Sequence, residues 1–292
     1  MDDEQQSAVN YKGSVAVIAG PGSGKTHVLV EKAKIAPQNS IALTFTRNAA
    51  GEVKQRAPQV EASTIHSFCY KHIKSFPGDY DLLLHEFLSL KNKPKYNLVL
   101  VDEFQDLNML EIKVIKSIIG ENVFLVGDPF QSIFGYAYAL GKTVLDYFEV
   151  KKLYLHNNYR SKKNIVRELE CIHLRNLIPI GSKELNGTFV LFRTNRQLNE
   201  VAYSLSELGY DYGIKRKKGV FPGDIYEEGG SDLILMTIHC SKGLETKRVI
   251  LFDWGERHFE KNLEYVAIAR ASEDFHLINS LTNLTRLLGQ PK

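Results

Sequence analysis

Ala19-Gly20-Pro21-Gly22-Ser23-Gly24-Lys25-Thr26 decides the fold of this 292-residue chain. The apolar run 15–18 before it reads as a buried strand, and the amphipathic segment after it, with Val28, Leu29, Val30 and Ala33, reads as a helix. Strand, glycine-rich turn, Lys-Thr and helix make a P-loop. Glycine lets the backbone curl so that several N–H groups face one anion, and the helix N-terminus adds its positive dipole end. In that geometry Gly22, Ser23 and Gly24 line the phosphates of a nucleotide, Lys25 reaches the β- and γ-phosphates, and the Thr26 hydroxyl ligates Mg²⁺. Ala19 stands where the consensus begins with glycine. An ordinary strand-to-helix turn with a surface lysine leaves the coincidence of three glycines and a Lys-Thr pair unexplained.

The totals agree with a soluble globular protein of one large or two ordinary domains. Net charge is +3, compatible with nucleic acid without deciding for it. Cys69, Cys171 and Cys240 lie far apart, with no metal-ligand or redox spacing, so the expected setting is reducing and cytoplasmic. The start of the sequence is acidic, without the apolar core of a signal peptide, and no apolar run is long enough to span a bilayer. No membrane partner is expected.

Outward from the P-loop, Gln5 lies on a short helix before it, and its amide suits the donor and acceptor edge of adenine. The strand 41–44 runs into Thr44-Phe45-Thr46-Arg47, at the strand end where open α/β sheets bind ligands. Phe45 there is either a base-stacking face or a core aromatic beside a helix cap. Thr64-Ile65-His66-Ser67-Phe68 repeats the theme of hydroxyl, imidazole and aromatic. The strand 97–101 ends in Asp102-Glu103-Phe104-Gln105-Asp106. Carboxylates at the end of a buried strand are costly unless they serve a site. Asp102 is placed to hold Mg²⁺ and Glu103 to orient an attacking water. The strand 123–126 leads to Gly127-Asp128-Pro129-Phe130-Gln131, with Gln131 placed to sense the γ-phosphate. Tyr136 offers a stacking face, whereas Phe134 reads as core.

This ordered set resembles the UvrD/Rep/PcrA family of superfamily 1 DNA helicases, and the second half agrees. Asn158-Tyr159-Arg160-Ser161, Thr237-Ile238-His239 with Lys242-Gly243-Leu244-Glu245, and Tyr265-Val266-Ala267-Ile268-Ala269-Arg270-Ala271 are similar to the later motifs of that family. The resemblance covers nearly the whole chain. It implies that Gln5 reads adenine and Tyr159 stacks on it, that Arg160 and Arg270 are arginine fingers, and that Glu245 meets the ribose. It further implies that Gln131 couples the γ-phosphate to DNA, and that Thr44, Phe45, Thr64, His66, Tyr136 and His239 follow single-stranded DNA. Arg193 is either a phosphate contact or a surface residue. Three departures stand out. His27 occupies a position where many relatives carry an arginine over the adenine, and Tyr136 one where relatives often have tryptophan. The connections 69–97 and 215–231 are short where relatives carry large insertions.

Alternating strands and helices predict two RecA-like P-loop NTPase lobes with mostly parallel sheets, 1–150 and 151–292. The second half has strand patterns at 153–155, 189–192, 233–237, 249–252 and 275–278, and helical patterns at 163–175, 198–208 and 264–271. No internal repeat is evident. The basic run Lys215-Arg216-Lys217-Lys218 reads as a loop, either solvated or touching duplex phosphates. The resemblance implies an ATP- and Mg²⁺-dependent motor on single-stranded or tailed duplex DNA, moving 3′ to 5′ as two lobes close on ATP. The alternatives are a translocase or strippase subunit of a repair or defence complex, with a protein partner such as a nuclease, and a nucleotide-gated clamp.

Overall fold

The computed structural model describes the chain except residues 74–77, 136–138, 174–175, 182, 218–224, 230, 254–259 and 292, and the side chains of 217 and 225–228. It divides into two compact units, Met1–His156 and Asn157–Lys292.

The first unit runs α1 (Asp3–Asn10), β1 (Val15–Ala19), α2 (Lys25–Lys34), β2 (Ser40–Thr44), α3 (Arg47–Arg56), β3 (Glu61–Thr64), α4 (Ile65–His72), α5 (Tyr80–Ser89), β4 (Tyr96–Asp102), α6 (Met109–Ile118), β5 (Ile119–Gly127) and β6 (Lys151–Leu155). Its six strands form one parallel sheet in the order β3-β2-β4-β5-β1-β6. Alternate residues feed two cores. Ile41, Leu43, Val99, Val101 and Leu125 pack on one face with Phe68, Phe87 and Ile115. Ala42, Leu100, Phe124, Val126, Val15 and Val17 pack on the other with Leu29 and Val53. A strand buried on both faces reads as a continuous apolar run, which is why these strands were legible. Because all six run parallel, their C-terminal ends share one edge, and the loops after β1, β2, β3, β4 and β5 meet there.

The second unit runs β7 (Asn157–Asn158), α7 (Lys163–His173), β8 (Ile178–Pro179), β9 (Thr188–Phe192), α8 (Asn195–Glu207), β10 (Gly213–Lys217), β11 (Ile225–Glu228), β12 (Leu233–Thr237), α9 (Ile238–Ser241), β13 (Thr246–Phe252), α10 (Lys261–Ile268), β14 (Ala271–Ile278) and α11 (Leu281–Leu288). Its large sheet has the order β11-β10-β12-β9-β13-β14, parallel except for the antiparallel edge strand β11. Val190, Phe192, Leu235 and Ile250 pack there against Leu198, Val201 and Leu205 of α8. Two RecA-like α/β lobes with mostly parallel sheets are the result.

Three local expectations change. Residues 151–155 were assigned to the second lobe, but β6 pairs with β1, so the units meet at 156/157 rather than near 150. Lys151 and Lys152 are exposed on this edge strand, so its sequence shows no two-sided burial. The helix expected over 264–271 stops at Ile268, because Ala271 pairs with Thr246 at the start of β14 and sheet pairing overrides helical propensity. The basic run is not a loop over its described part: Lys215, Arg216 and Lys217 lie on β10, and Arg216 donates to the side chains of Asn195 and Asn199. Lys218 lies outside the described residues.

Candidate functional site: a nucleotide-binding edge

Gly22 (φ 67°) and Gly24 (φ 82°) adopt left-handed backbone in the turn after β1, a conformation that side-chain-bearing residues rarely take. Gly24 caps α2 without a side-chain bond, and the positive end of that helix faces the turn. Ser23 Oγ donates to Gly20 O at 2.7 Å and closes the turn. Gln5 is buried against it: its Nε2 donates to Ser23 O at 2.9 Å, and its Oε1 accepts from Asp2 N at 3.2 Å. The residue expected to read adenine is therefore pinned to the P-loop backbone by one end of its amide and to the cap of α1 by the other. Lys25 and Thr26 open α2.

Asp102 ends β4, buried, and accepts from Glu103 N at 3.0 Å. Burial first, then the neighbouring Glu103 charge, pushes its carboxyl up to about 7, against the pull of Lys25. Glu103 has φ 52° and ψ 48°, one of two non-glycine residues with left-handed backbone among those described. Such strain persists where the surroundings over-determine it, as at functional sites. Gln105, fully buried, supplies that support. Its Nε2 donates to Glu103 Oε2 at 2.6 Å and its Oε1 accepts from Asp128 N at 3.0 Å. Asp128 Oδ2 in turn accepts from Gln131 Nε2 at 3.0 Å. A Cβ on Gly127 would lie 2.2 Å from Gln105 Oε1, so the close approach of β5 to this network requires glycine. Among the described residues no three His, Cys, Asp or Glu side chains are grouped to hold a metal. A hydroxyl and a buried carboxylate, Thr26 and Asp102, fit Mg²⁺, which keeps waters and takes its other oxygens from phosphates.

His27, in the first turn of α2, has Arg56 of α3 beside it. Arg56 Nη2 is 3.3 Å from His27 Nδ1, and Glu31 Oε1 lies 3.9 Å from both. A guanidinium thus stands next to the imidazole at the position singled out for its missing arginine.

Along the same edge, Thr44 is buried and donates to Thr46 O at 2.9 Å. Phe45 is half-buried with its ring centroid 5.3 Å from that of Phe134, which is core as expected. Thr64 caps α4, accepting from Ser67 N and donating to Ser67 Oγ. His66 stacks edge-on against Tyr80 of α5 at 5.0 Å, and burial lowers its pKa. Tyr136 lies outside the described residues. In the second unit His239 occupies α9 after the cap Thr237. Thr64 and Thr237 share φ −77° and ψ 155°, and each ends a parallel strand and opens a helix with Ile-His. No internal repeat was expected from the sequence. The structure reveals this short one because three residues are too few to stand out without their strands.

The second unit brings Arg160, Arg270 and Glu245 together. Arg160 Nε is 3.2 Å from Glu245 Oε2 and its Nη2 3.4 Å from Oε1, while Nη1 donates to Ala269 O at 3.2 Å. Arg270 is buried and donates to Val266 O and Leu244 O. Asn158, fully buried, accepts from the N–H groups of Arg160 and Ser161 and fixes the turn that presents Tyr159, whose side chain is exposed. Arg193 follows β9, half-buried. Gln105, Asp128, Arg56, Asn158 and Lys183 were not assigned roles from sequence. Gln105 and Asp128 sat inside motifs already quoted, but Arg56 and Lys183 carry no local signal and are placed only by tertiary folding.

Comparison with known proteins fits this geometry. Residues 5–137 match the family described as AAA domain. A "Probable DNA helicase" of Mycoplasma pneumoniae is 27% identical over 231 residues, covering 62% of this chain and 43% of its own. The "ATP-dependent DNA helicase PcrA" of Staphylococcus epidermidis is 24% identical over 282 residues, covering 57% of this chain and 39% of its own. The chain spans about two-fifths of the length of these relatives. In fold it is similar to the Pif1 helicase from Bacteroides, solved in complex with ADP-AlF3 and ssDNA, with TM-score 0.55 and 14% identity over 98% of this chain and 96% of that one. By motif order and sequence relatives the chain is similar to the UvrD/PcrA-like superfamily 1 helicases.

Proposed function

We propose that the chain is an ATP-driven motor that moves 3′ to 5′ along single-stranded DNA and separates tailed duplexes. ATP with Mg²⁺ binds the P-loop; Lys25 meets the β- and γ-phosphates, and Thr26 and Asp102 supply oxygens to the metal. Glu103, held by Gln105, orients the attacking water, and Gln131 reports the γ-phosphate through Asp128. Tyr159, Glu245, Arg160 and Arg270 engage the same nucleotide from the second lobe, so ATP favours closure and hydrolysis releases it.

The observation that carries this reading is the doubled Thr-Ile-His element, with the same backbone angles in each unit. Two equivalent grips, one per lobe, are what a two-lobed motor needs to hold one strand alternately. Phe45, Thr44 and Tyr136 extend the grip on the first lobe, and recognition by hydroxyls and flat rings predicts little sequence preference. The short 69–97 connection favours a second form of the same function, a translocase or strippase that needs a partner protein, such as a nuclease, to open duplex.

Strand displacement on duplexes with 3′ or 5′ tails of DNA or RNA tests the proposal. Displacement from the 3′-tailed DNA substrate is expected. Displacement confined to 5′ tails would reverse the assigned direction, and movement on single strands without displacement would select the translocase form.

A further inference from the structure

We propose that Glu245 is a latch on the candidate arginine fingers: the carboxylate that receives the ribose also holds Arg160, so that sugar hydroxyls binding there free the arginine for the phosphates. The latch rests on the ATP-motor reading above and adds to it a way for the sugar to control turnover.

Glu245 is heavily committed. Arg160 grips both of its oxygens through Nε and Nη2, and Lys183 Nζ lies 3.3 Å from Oε2. A forked guanidinium–carboxylate pair of this kind is among the stronger polar contacts in proteins. The tie extends further. Arg160 donates through Nη1 to Ala269 O, the carbonyl preceding Arg270, while Arg270 donates through Nη1 to Leu244 O, the carbonyl preceding Glu245. Lys183 N donates to Arg160 O at 2.8 Å. Arg160 therefore holds the backbone next to Arg270, Arg270 holds the backbone next to the partner of Arg160, and Glu245 closes the loop.

A carboxylate offers about four lone-pair sites. Two ribose hydroxyls donating to Glu245 compete for the sites that the Arg160 fork uses. Lys183 keeps its hold on Oε2 and acts as a positioning residue, fixing the carboxylate as the fork opens. A guanidinium released beside a triphosphate is drawn to it. Recognition of the sugar then appears in kcat, not only in affinity.

The test compares ATP with 2′,3′-dideoxyATP in DNA-stimulated hydrolysis. Wild type should lose about tenfold in kcat with the dideoxy nucleotide, the equivalent of one forked charge-assisted contact. Glu245→Gln should raise KM for ATP and give the same kcat with both nucleotides. Lys183→Ala should lower kcat several-fold with little change in KM, and Lys183→Arg should restore it. A readout free of turnover is phenylglyoxal labelling of Arg160 followed by mass spectrometry. ADP should accelerate labelling in wild type and 2′,3′-dideoxyADP should not. A wild-type kcat indifferent to the sugar, with Arg160 labelling equally indifferent, would overturn the latch while leaving the motor standing. Absence of any ATP hydrolysis would overturn both.

Discussion

Gln105 holds Glu103. Its Nε2 donates to Glu103 Oε2 at 2.6 Å, and Glu103 sits in left-handed backbone that nothing in its own chemistry favours. The buried amide spans from this carboxylate to the backbone of Asp128, so one side chain connects the acidic edge after β4 with the Gln131 turn after β5.

Gln105→Ala removes both bonds, one of them to the backbone of the buried Asp128. The expected outcome is a kcat lowered by about ten- to a hundredfold with KM for ATP near wild type, since Glu103 loses its aim while the P-loop keeps its shape. Steady-state kinetics read the split. An unchanged kcat would show that Glu103 is positioned without its partner.

Gly24→Ala addresses the P-loop. The backbone is left-handed and the new Cβ would lie 2.9 Å from Gln5 Nε2, the group that ties α1 to the turn. Stability should fall by about 1–2 kcal/mol, and nucleotide binding should fall with it. Thermal melts with and without ATP check this. A variant that melts like wild type and is still stabilised by ATP would refute the required conformation.

Glu111 gives the pH dependence. It is buried in α6, and burial, with help from Asp106 and Asp81 and against the bond from Asn108 N, pushes its carboxyl from 4.5 to about 7. His66 Nδ1 lies 4.0 Å away. A carboxyl with a raised folded pKa binds its proton more tightly in the native state than when unfolded. Its contribution therefore weakens stability as pH climbs from about 4.5 to about 7, and the penalty is complete above that. Glu111→Gln keeps the capping box on Asn108 and removes the charge. Denaturant unfolding should find the variant more stable than wild type at pH 8, by about 1–3 kcal/mol, with the difference shrinking toward pH 4. A variant less stable than wild type at pH 8 would contradict this.

The architecture was legible because parallel strands buried on both faces leave unbroken apolar runs, as at 98–101 and 123–126. The P-loop and the acidic strand end were legible because glycine, lysine and carboxylate at such places have few other reasons to occur together. Relations across the fold were not. Arg56 reaches His27 from a different helix, and Lys183 reaches Glu245 from a connection without any motif. The strain at Glu103 is a property of backbone angles that its residue type does not announce. Lys215 to Lys217 read as a loop because charge dominates their sequence, whereas β12 and β11 pair with their backbone. The Thr-Ile-His element of the two units stands twice in the sequence, but only equal angles at equal strand ends reveal it as a repeat.

The central claim, a DNA-gated ATP motor built on the P-loop, is tested most directly by ATP hydrolysis as single-stranded DNA is titrated in, for wild type and Lys25→Ala. Hydrolysis should rise by about tenfold or more with DNA in wild type and be lost in the variant. Hydrolysis that proceeds equally without DNA, or that survives Lys25→Ala, would contradict the claim.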